Sequence, residues 1–160
     1  MGDHSETIQI DYDPQVISYE EILQIFWDSH NPTAQAWSRQ YMSVIFYHDD
    51  RQKAAALKSK TALEQELETT IKTEIAPFTK FYLAEDYHQK YYLQGNQELF
   101  RELSSNYQDF KDLINSTAAA RLNGLLAGYA DADLLAEEID RYGLSERGKE
   151  LIRADLILGR

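Results

Sequence analysis

The chain has 160 residues, of which 43% are hydrophobic and 27% charged, and its formal net charge is -11 at pH 7. This composition is typical of a globular protein with a sizeable core, whereas the negative charge argues against nucleic-acid binding, which depends on clustered Lys and Arg. The absence of any long apolar run or N-terminal signal pattern predicts a cytoplasmic protein without membrane association, and the absence of cysteine excludes disulfides and thiol chemistry by this chain.

The first predicted elements are a strand and a helix. Residues 7–12 alternate between apolar and polar side chains, which predicts a half-buried strand. Ser18 and Glu21 have the spacing of a capping box, and apolar residues follow at helical intervals, so a helix is predicted over 18–30. The proline at position 32 is expected to stop it.

Strands and helices continue to alternate through the middle of the chain. A second strand is predicted over 41–48, a long helix over 50–67 and a third strand over 70–76. This order favours an α+β fold, a two-layer α/β sandwich in which the three strands share one sheet and both helices cover a single face.

The C-terminal part changes to helix without strand. Apolar residues recur at helical spacing up to Leu156, with Gly143 at one helix end. We therefore predict two domains, an α+β core over residues 1–93 and an all-helical C-terminal extension over residues 94–160.

Five segments of the first domain together resemble a single enzyme family. In chain order they read HSETIQIDYDP from His4, SYEEILQIFWDSHNP from Ser18, SRQYMSVIFYHDD from Ser38, TEIAPF from Thr73 and FYLAEDYHQKYYL from Phe81. The family that they resemble is peptide methionine sulfoxide reductase A, and the resemblance covers about residues 4–92. It implies a ferredoxin-like reductase core that reduces the S-sulfoxide of methionine, free or in proteins, with a thiol reductant and without a cofactor.

The family signature Gly-Cys-Phe-Trp-Gly, which carries the nucleophile, has no match in these residues. Sulfoxide reduction needs a soft nucleophile to attack sulfur, and only a thiolate or selenolate suits that step. The resemblance therefore implies an N-terminally incomplete core, and the expectation is a truncated or inactive form of the enzyme. One hypothesis is an upstream selenocysteine codon that was read as a stop.

Two residues match the catalytic positions of the family. Glu6 matches the glutamate that protonates the leaving oxygen, and Tyr41 matches the tyrosine whose hydroxyl bonds the sulfoxide oxygen. The alternatives from the residues alone are a solvated glutamate for Glu6 and a tyrosine packed at a sheet edge for Tyr41.

Trp37 and His88 are further candidates for the substrate pocket. Trp37 would line a methyl-binding surface, and an exposed or packed loop tryptophan is the alternative. His88 lies in an Ala-Glu-Asp-Tyr-His-Gln run that resembles an architectural segment of the family, so a hydrogen-bonded structural histidine is the alternative. No metal site is predicted, because no two histidines have the spacing of a helical zinc site.

Three functional hypotheses follow. The first is a methionine sulfoxide reductase that depends on thioredoxin or another thiol reductant. The second is a non-catalytic scaffold that keeps the fold. The third is a helical protein-interaction module formed by residues 94–160.

Overall fold

The computed structural model of the chain describes residues 4–129 and 132–157. It forms two compact units, Met1–Phe81 and Tyr82–Arg160. The predicted boundary at 93/94 concerns the extent of the family core, and it stays a prediction.

The first unit begins with an extended segment that leads into helix α1, Tyr19–Asp28. The Ser18 hydroxyl accepts a hydrogen bond from the Glu21 N–H at 3.2 Å, and the Glu21 carboxylate accepts one from the Ser18 N–H at 2.8 Å. This reciprocal capping box fixes where the helix begins, and it confirms the helix predicted over 18–30.

A strand–helix–strand unit follows, with β1 at Val44–Tyr47, α2 at Asp50–Glu66 and β2 at Glu74–Pro77. The two strands are parallel, with Ile45 paired to Ile75. Parallel strands need a crossover connection, which α2 supplies. The α+β class is thereby confirmed.

The core of the first unit brings both helices and the sheet together. Its buried residues come from α1, β1, α2 and the segment before β2, namely Leu23, Trp27, Ile45, Ala56 and Ile71. The Trp27 indole N–H also donates to the Ser59 hydroxyl at 3.0 Å, which ties α1 to α2. Helices and sheet thus form two layers around one core.

The strand predicted over 7–12 is wrong, and the described part of the sheet has two strands instead of three. Ile8 and Ile10, expected on a buried face, are 83% and 53% exposed. Alternation predicts which side chains share a face, but a strand also needs a neighbour for its backbone groups. In the part of the chain that the structure describes, residues 7–12 have no neighbouring strand.

Strand β2 begins later than its predicted start at residue 70. The Ile71 N–H donates to the Glu64 carboxylate at 3.0 Å, and the Lys72 N–H donates to the Pro32 carbonyl at 2.8 Å. These backbone groups are used outside the sheet, so pairing with β1 starts at Glu74.

The described residues of the second unit form helices and turns, which agrees with the predicted all-helical character. The helices are α3 Tyr91–Gly95, α4 Gln97–Ser104, α5 Phe110–Ile114, α6 Thr117–Leu126, α7 Ala132–Glu138 and α8 Glu146–Ile157. They share a core of leucines and alanines with a few larger side chains, among them Leu93, Leu99, Leu103, Ala119, Leu122, Ile139, Tyr142 and Ile152.

Helix α3 is capped by a side chain from another helix. Its own N-cap residue, Lys90, has a left-handed backbone and makes no side-chain cap. Instead, the Asn123 side-chain oxygen accepts hydrogen bonds from the N–H groups of Tyr92 and Leu93, at 3.1 and 3.2 Å. Two of the free donors at the start of α3 are therefore satisfied by α6.

The turn before α8 is held by two side chains of the α4 region. Asn106 donates through Nδ2 to the Gly143 carbonyl at 2.9 Å, and the Glu102 carboxylate accepts a hydrogen bond from the Ser145 N–H. Gly143 has φ +69°, a conformation that favours glycine.

Candidate active site

Glu6 is joined to the segment around residue 40 by a pair of hydrogen bonds. Its backbone N–H donates to the Gln40 carbonyl at 2.9 Å, and the Gln40 amide donates through Nε2 to Glu6 Oε1 at 2.7 Å. Ser5 adds a bond from its hydroxyl to the Arg39 carbonyl at 3.1 Å. Two segments 34 residues apart in sequence are thus fixed side by side.

Tyr41 closes a single 3-10 turn, Arg39–Tyr41, three residues before β1. The Tyr41 ring is 48% exposed and stacks on the Trp37 ring, with centroids 4.7 Å apart and planes 28° apart. Among the residues that the structure describes, the Tyr41 hydroxyl has no hydrogen-bond partner. It can therefore donate to an oxygen atom of a ligand.

Trp37 is 79% exposed, so it is a surface aromatic rather than a core residue. The indole stacks on the Tyr41 ring and most of its remaining surface is exposed. Such a surface can contact a methyl group or another small apolar group.

The structure brings Glu6, Tyr41 and Trp37 into one neighbourhood because consecutive contacts connect them. Glu6 bonds Gln40, Gln40 directly precedes Tyr41, and Tyr41 stacks on Trp37. A carboxyl group, a phenol hydroxyl and an aromatic face suit a small polar ligand with an attached apolar group. The catalytic and binding roles of these residues stay predictions.

His88 belongs to the second unit, in the turn Asp86–His88. Its N–H donates to the Glu85 carbonyl at 2.9 Å, its Nε2 lies 4.0 Å from the Glu85 carboxylate, and its ring lies 4.2 Å from the Tyr87 ring. These contacts fit a structural role. Its place in a substrate pocket stays a prediction.

Two further histidines, His30 and His48, have a backbone bond or a ring contact. His30 shares a hydrogen bond of 2.8 Å between Nδ1 and the Phe26 carbonyl, and His48 stacks on Phe78 with centroids 4.4 Å apart. Within the described ranges, no three histidine or acidic side chains form a group that could hold a metal ion. No described helix is long and apolar enough to cross a membrane.

Gln40 is the residue of this neighbourhood that sequence reasoning missed. It stands in the Arg-Gln-Tyr-Met-Ser segment that marks Tyr41, but no role was predicted for it. Its position immediately before Tyr41 is the signal in the sequence. The contact with Glu6 becomes visible only in three dimensions.

Comparison with known proteins gives a consistent set of matches. A family model described as peptide methionine sulfoxide reductase matches residues 1–119. The chain is 44% identical over 147 residues to a peptide methionine sulfoxide reductase of Drosophila melanogaster, which covers 91% of the chain and 58% of that protein. It is 44% identical over 107 residues to a peptide methionine sulfoxide reductase named MsrA of Methanosarcina mazei. This match covers 61% of the chain and 51% of that protein.

A third relative, from Methanosarcina acetivorans, is 47% identical over 96 residues, or 56% of the chain and 51% of that protein. The chain thus spans about half the length of these curated relatives.

Proposed function

Because the chain belongs to the peptide methionine sulfoxide reductase family, we propose that its first unit binds a methionine S-sulfoxide and protonates the sulfoxide oxygen. Glu6 is the proton donor, and Tyr41 donates a hydrogen bond to the same oxygen. Trp37 contacts the methyl group of the substrate. The substrate is methionine S-sulfoxide, free or within a protein.

The observation that carries this proposal is the contact of Glu6 with Gln40. The 2.7 Å bond between the two side chains places the Glu6 carboxyl beside the residue that precedes Tyr41. In this proposal the Glu6 carboxyl and the Tyr41 hydroxyl both donate to the sulfoxide oxygen. Preorganised donors of this kind stabilise charge that develops on oxygen.

The reaction requires a nucleophile that these 160 residues do not contain, because they include no cysteine. We propose that a thiolate or selenolate from outside these residues attacks the sulfoxide sulfur. Glu6 gives its proton to the oxygen, the sulfur–oxygen bond breaks, and the hydroxyl passes to the attacking atom. The sulfoxide is reduced to methionine, and the nucleophile is oxidised to a sulfenic or selenenic acid.

The oxidised nucleophile is then reduced by an external thiol, such as thioredoxin. The thiol attacks the oxidised atom, water leaves, and a mixed disulfide or selenenyl sulfide forms. No cysteine of this chain can take that role. A cytoplasmic location is part of the proposal.

A direct test is the binding of N-acetyl-methionine sulfoxide to the 160-residue chain, followed by nuclear magnetic resonance. The S-epimer should bind more tightly than the R-epimer and should shift the signals of residues 37–41. Tyr41→Phe should weaken binding about fivefold, the effect of one neutral hydrogen bond. Tyr129→Phe, which changes an exposed tyrosine of the second unit, is the control.

Equal binding of both epimers, or no binding, would contradict the proposed site. With dithiothreitol the chain alone should reduce neither epimer. Turnover would show that our assignment of the nucleophile is wrong.

The absence of cysteine also favours a second function, a non-catalytic scaffold that binds without reduction. The DNA that precedes the Met1 codon distinguishes the two. An in-frame Gly-Cys-Phe-Trp-Gly or selenocysteine equivalent supports the enzyme, and an in-frame genuine stop with no such segment before it supports the scaffold.

A further inference from the structure

We infer that Gln40 is a positioning residue for Glu6. The Gln40 side chain determines which carboxyl oxygen of Glu6 carries the transferred proton. This inference rests on the proposed function, because it concerns how the proton donor of that reaction is held. It starts from the contact between Gln40 Nε2 and Glu6 Oε1 at 2.7 Å.

The chemistry of the two groups defines the direction of this bond. An ionised carboxylate can only accept, so the partner atom must be the amide nitrogen of Gln40. Bonds from a donor to a charged acceptor are short and stronger than neutral ones, and 2.7 Å is short. The bond therefore favours one orientation of the Glu6 side chain.

The two oxygens of Glu6 are in different surroundings. Oε1 accepts from Gln40, whereas Oε2 has no hydrogen-bond partner among the described residues. When Glu6 is protonated, Oε1 keeps its bond most easily as the carbonyl oxygen, so the proton resides on Oε2. Oε2 is then the atom that gives its proton to the sulfoxide oxygen.

A backbone contact makes this arrangement specific to position 40. The Glu6 N–H donates to the Gln40 carbonyl at 2.9 Å, so main chain and side chain of the same two residues are joined. The main-chain bond survives any substitution at position 40. A side-chain variant therefore tests the carboxyl orientation without removing the link between the segments.

The first measurement is the side-chain amide signal of Gln40 in a proton–nitrogen correlation spectrum of the chain. Removing the acceptor by Glu6→Ala should shift one Gln40 amide proton upfield. Glu20→Ala, in the exposed first turn of α1, should leave this signal unchanged. A Gln40 signal that is insensitive to Glu6→Ala would overturn the inference.

The second measurement is the affinity for the S-epimer of N-acetyl-methionine sulfoxide. Gln40→Met keeps the length of the side chain and removes the donor, so the Glu6 carboxyl loses its fixed orientation and binding should weaken by up to about fivefold, the effect of one neutral hydrogen bond to the ligand. Gln40→Lys puts a cation beside Glu6, which favours the ionised carboxylate over the acid that donates the proton, so it should not recover that loss. Gln35→Met, an exposed glutamine in the same loop, is the matched control.

The outcomes separate the inference from the proposed function. If the wild-type chain binds the S-epimer and Tyr41→Phe weakens binding but Gln40→Met does not, the inference fails and the function stands. If the wild-type chain does not bind, the proposed function fails and the inference fails with it. Equal thermal melting of Gln40→Met and wild type ensures that the variant is folded.

Discussion

The two units of the chain differ in their hydrophobic cores and in the hydrogen bonding of their buried polar side chains. The second unit has a contiguous core of leucines, alanines, isoleucines and a buried tyrosine. The first unit has a core of five buried residues. Among described residues, the buried polar side-chain atoms without a partner all lie in the first unit, on Tyr19, His30, Ser38 and Thr73.

The larger core lies in the second unit, whereas the proposed site lies in the first. A buried polar group costs about 1–3 kcal/mol where neither protein nor water supplies a partner. The first unit also exposes Ile8 and Val16, and it carries the proposed site. Substitutions should therefore affect the two units separately.

The largest expected effect comes from Leu122, which is completely buried in the second unit. Leu122→Ala should destabilise that unit by about 2–5 kcal/mol because it leaves a cavity. Both tryptophans of the chain lie in the first unit, so tryptophan fluorescence reports on that unit alone, while circular dichroism reports on helices.

In a denaturant titration, Leu122→Ala should lower the midpoint seen by circular dichroism and leave the fluorescence midpoint in place. Leu23→Ala, in the core of the first unit, should lower the fluorescence midpoint. A joint shift of both signals in either variant would show that the units unfold together.

A second effect concerns Tyr142. Burial, together with the hydrogen bond from its hydroxyl to Glu138 at 3.0 Å, raises the pKa of Tyr142 from 10.0 to about 12. The folded state keeps its proton where the unfolded state has lost it. The stabilisation is therefore complete below about pH 10 and is lost as the pH rises through about 12.

Thermal melts followed by circular dichroism check this sign. Tyr142→Phe should lower the melting temperature at neutral pH and should reduce the decline above about pH 10. Tyr129→Phe is the control, because that tyrosine is exposed. A decline of the same size in Tyr142→Phe would assign the alkaline sensitivity to other groups.

Gly143→Ala should cost about 1–2 kcal/mol, because an alanine at φ +69° is strained and its Cβ would lie 2.9 Å from Asn106 Nδ2. Gly95→Ala is the matched control. It lies at the end of α3 with open space around it, so it should be neutral or stabilising by up to about 1 kcal/mol. Chemical denaturation of both variants compares them directly.

The smallest effect on stability is expected for Ile8→Ser, within about 0.5 kcal/mol. Its effect should appear instead in association, because exposed apolar residues promote contacts between molecules. Sedimentation velocity over a range of concentrations should show less self-association for Ile8→Ser than for wild type. Tyr129→Ser, in the second unit, should not change it, and the reverse result would place the association surface there.

The sequence predicted those parts of the fold that local signals determine. The capping box of Ser18 and Glu21 and the cap of α2 by Asp49 act within three residues, so both helix starts could be read from the chain. The prediction of a strand over 7–12 failed because the alternation of apolar and polar residues contains no information about a neighbouring strand. The predicted start of β2 was wrong because the N–H groups of Ile71 and Lys72 donate to Glu64 and Pro32, which lie in other segments of the chain.

The candidate site shows the same division. The resemblance drew attention to Glu6, Tyr41 and Trp37, and the structure brings these three into one neighbourhood. The bond from Gln40 to Glu6 was beyond sequence reasoning, because it spans 34 residues and follows no periodic pattern.

The cap that Asn123 supplies to α3 has a consequence for the order of folding. A helix of five residues is too short to persist alone in water, and two N–H groups of its first turn donate to a residue of α6. Helix α3 should therefore form late, together with α6, as one kinetic step. The family model matches up to residue 119, within α6 and before Asn123, so a fragment cut at that residue would lack the side chain that caps α3.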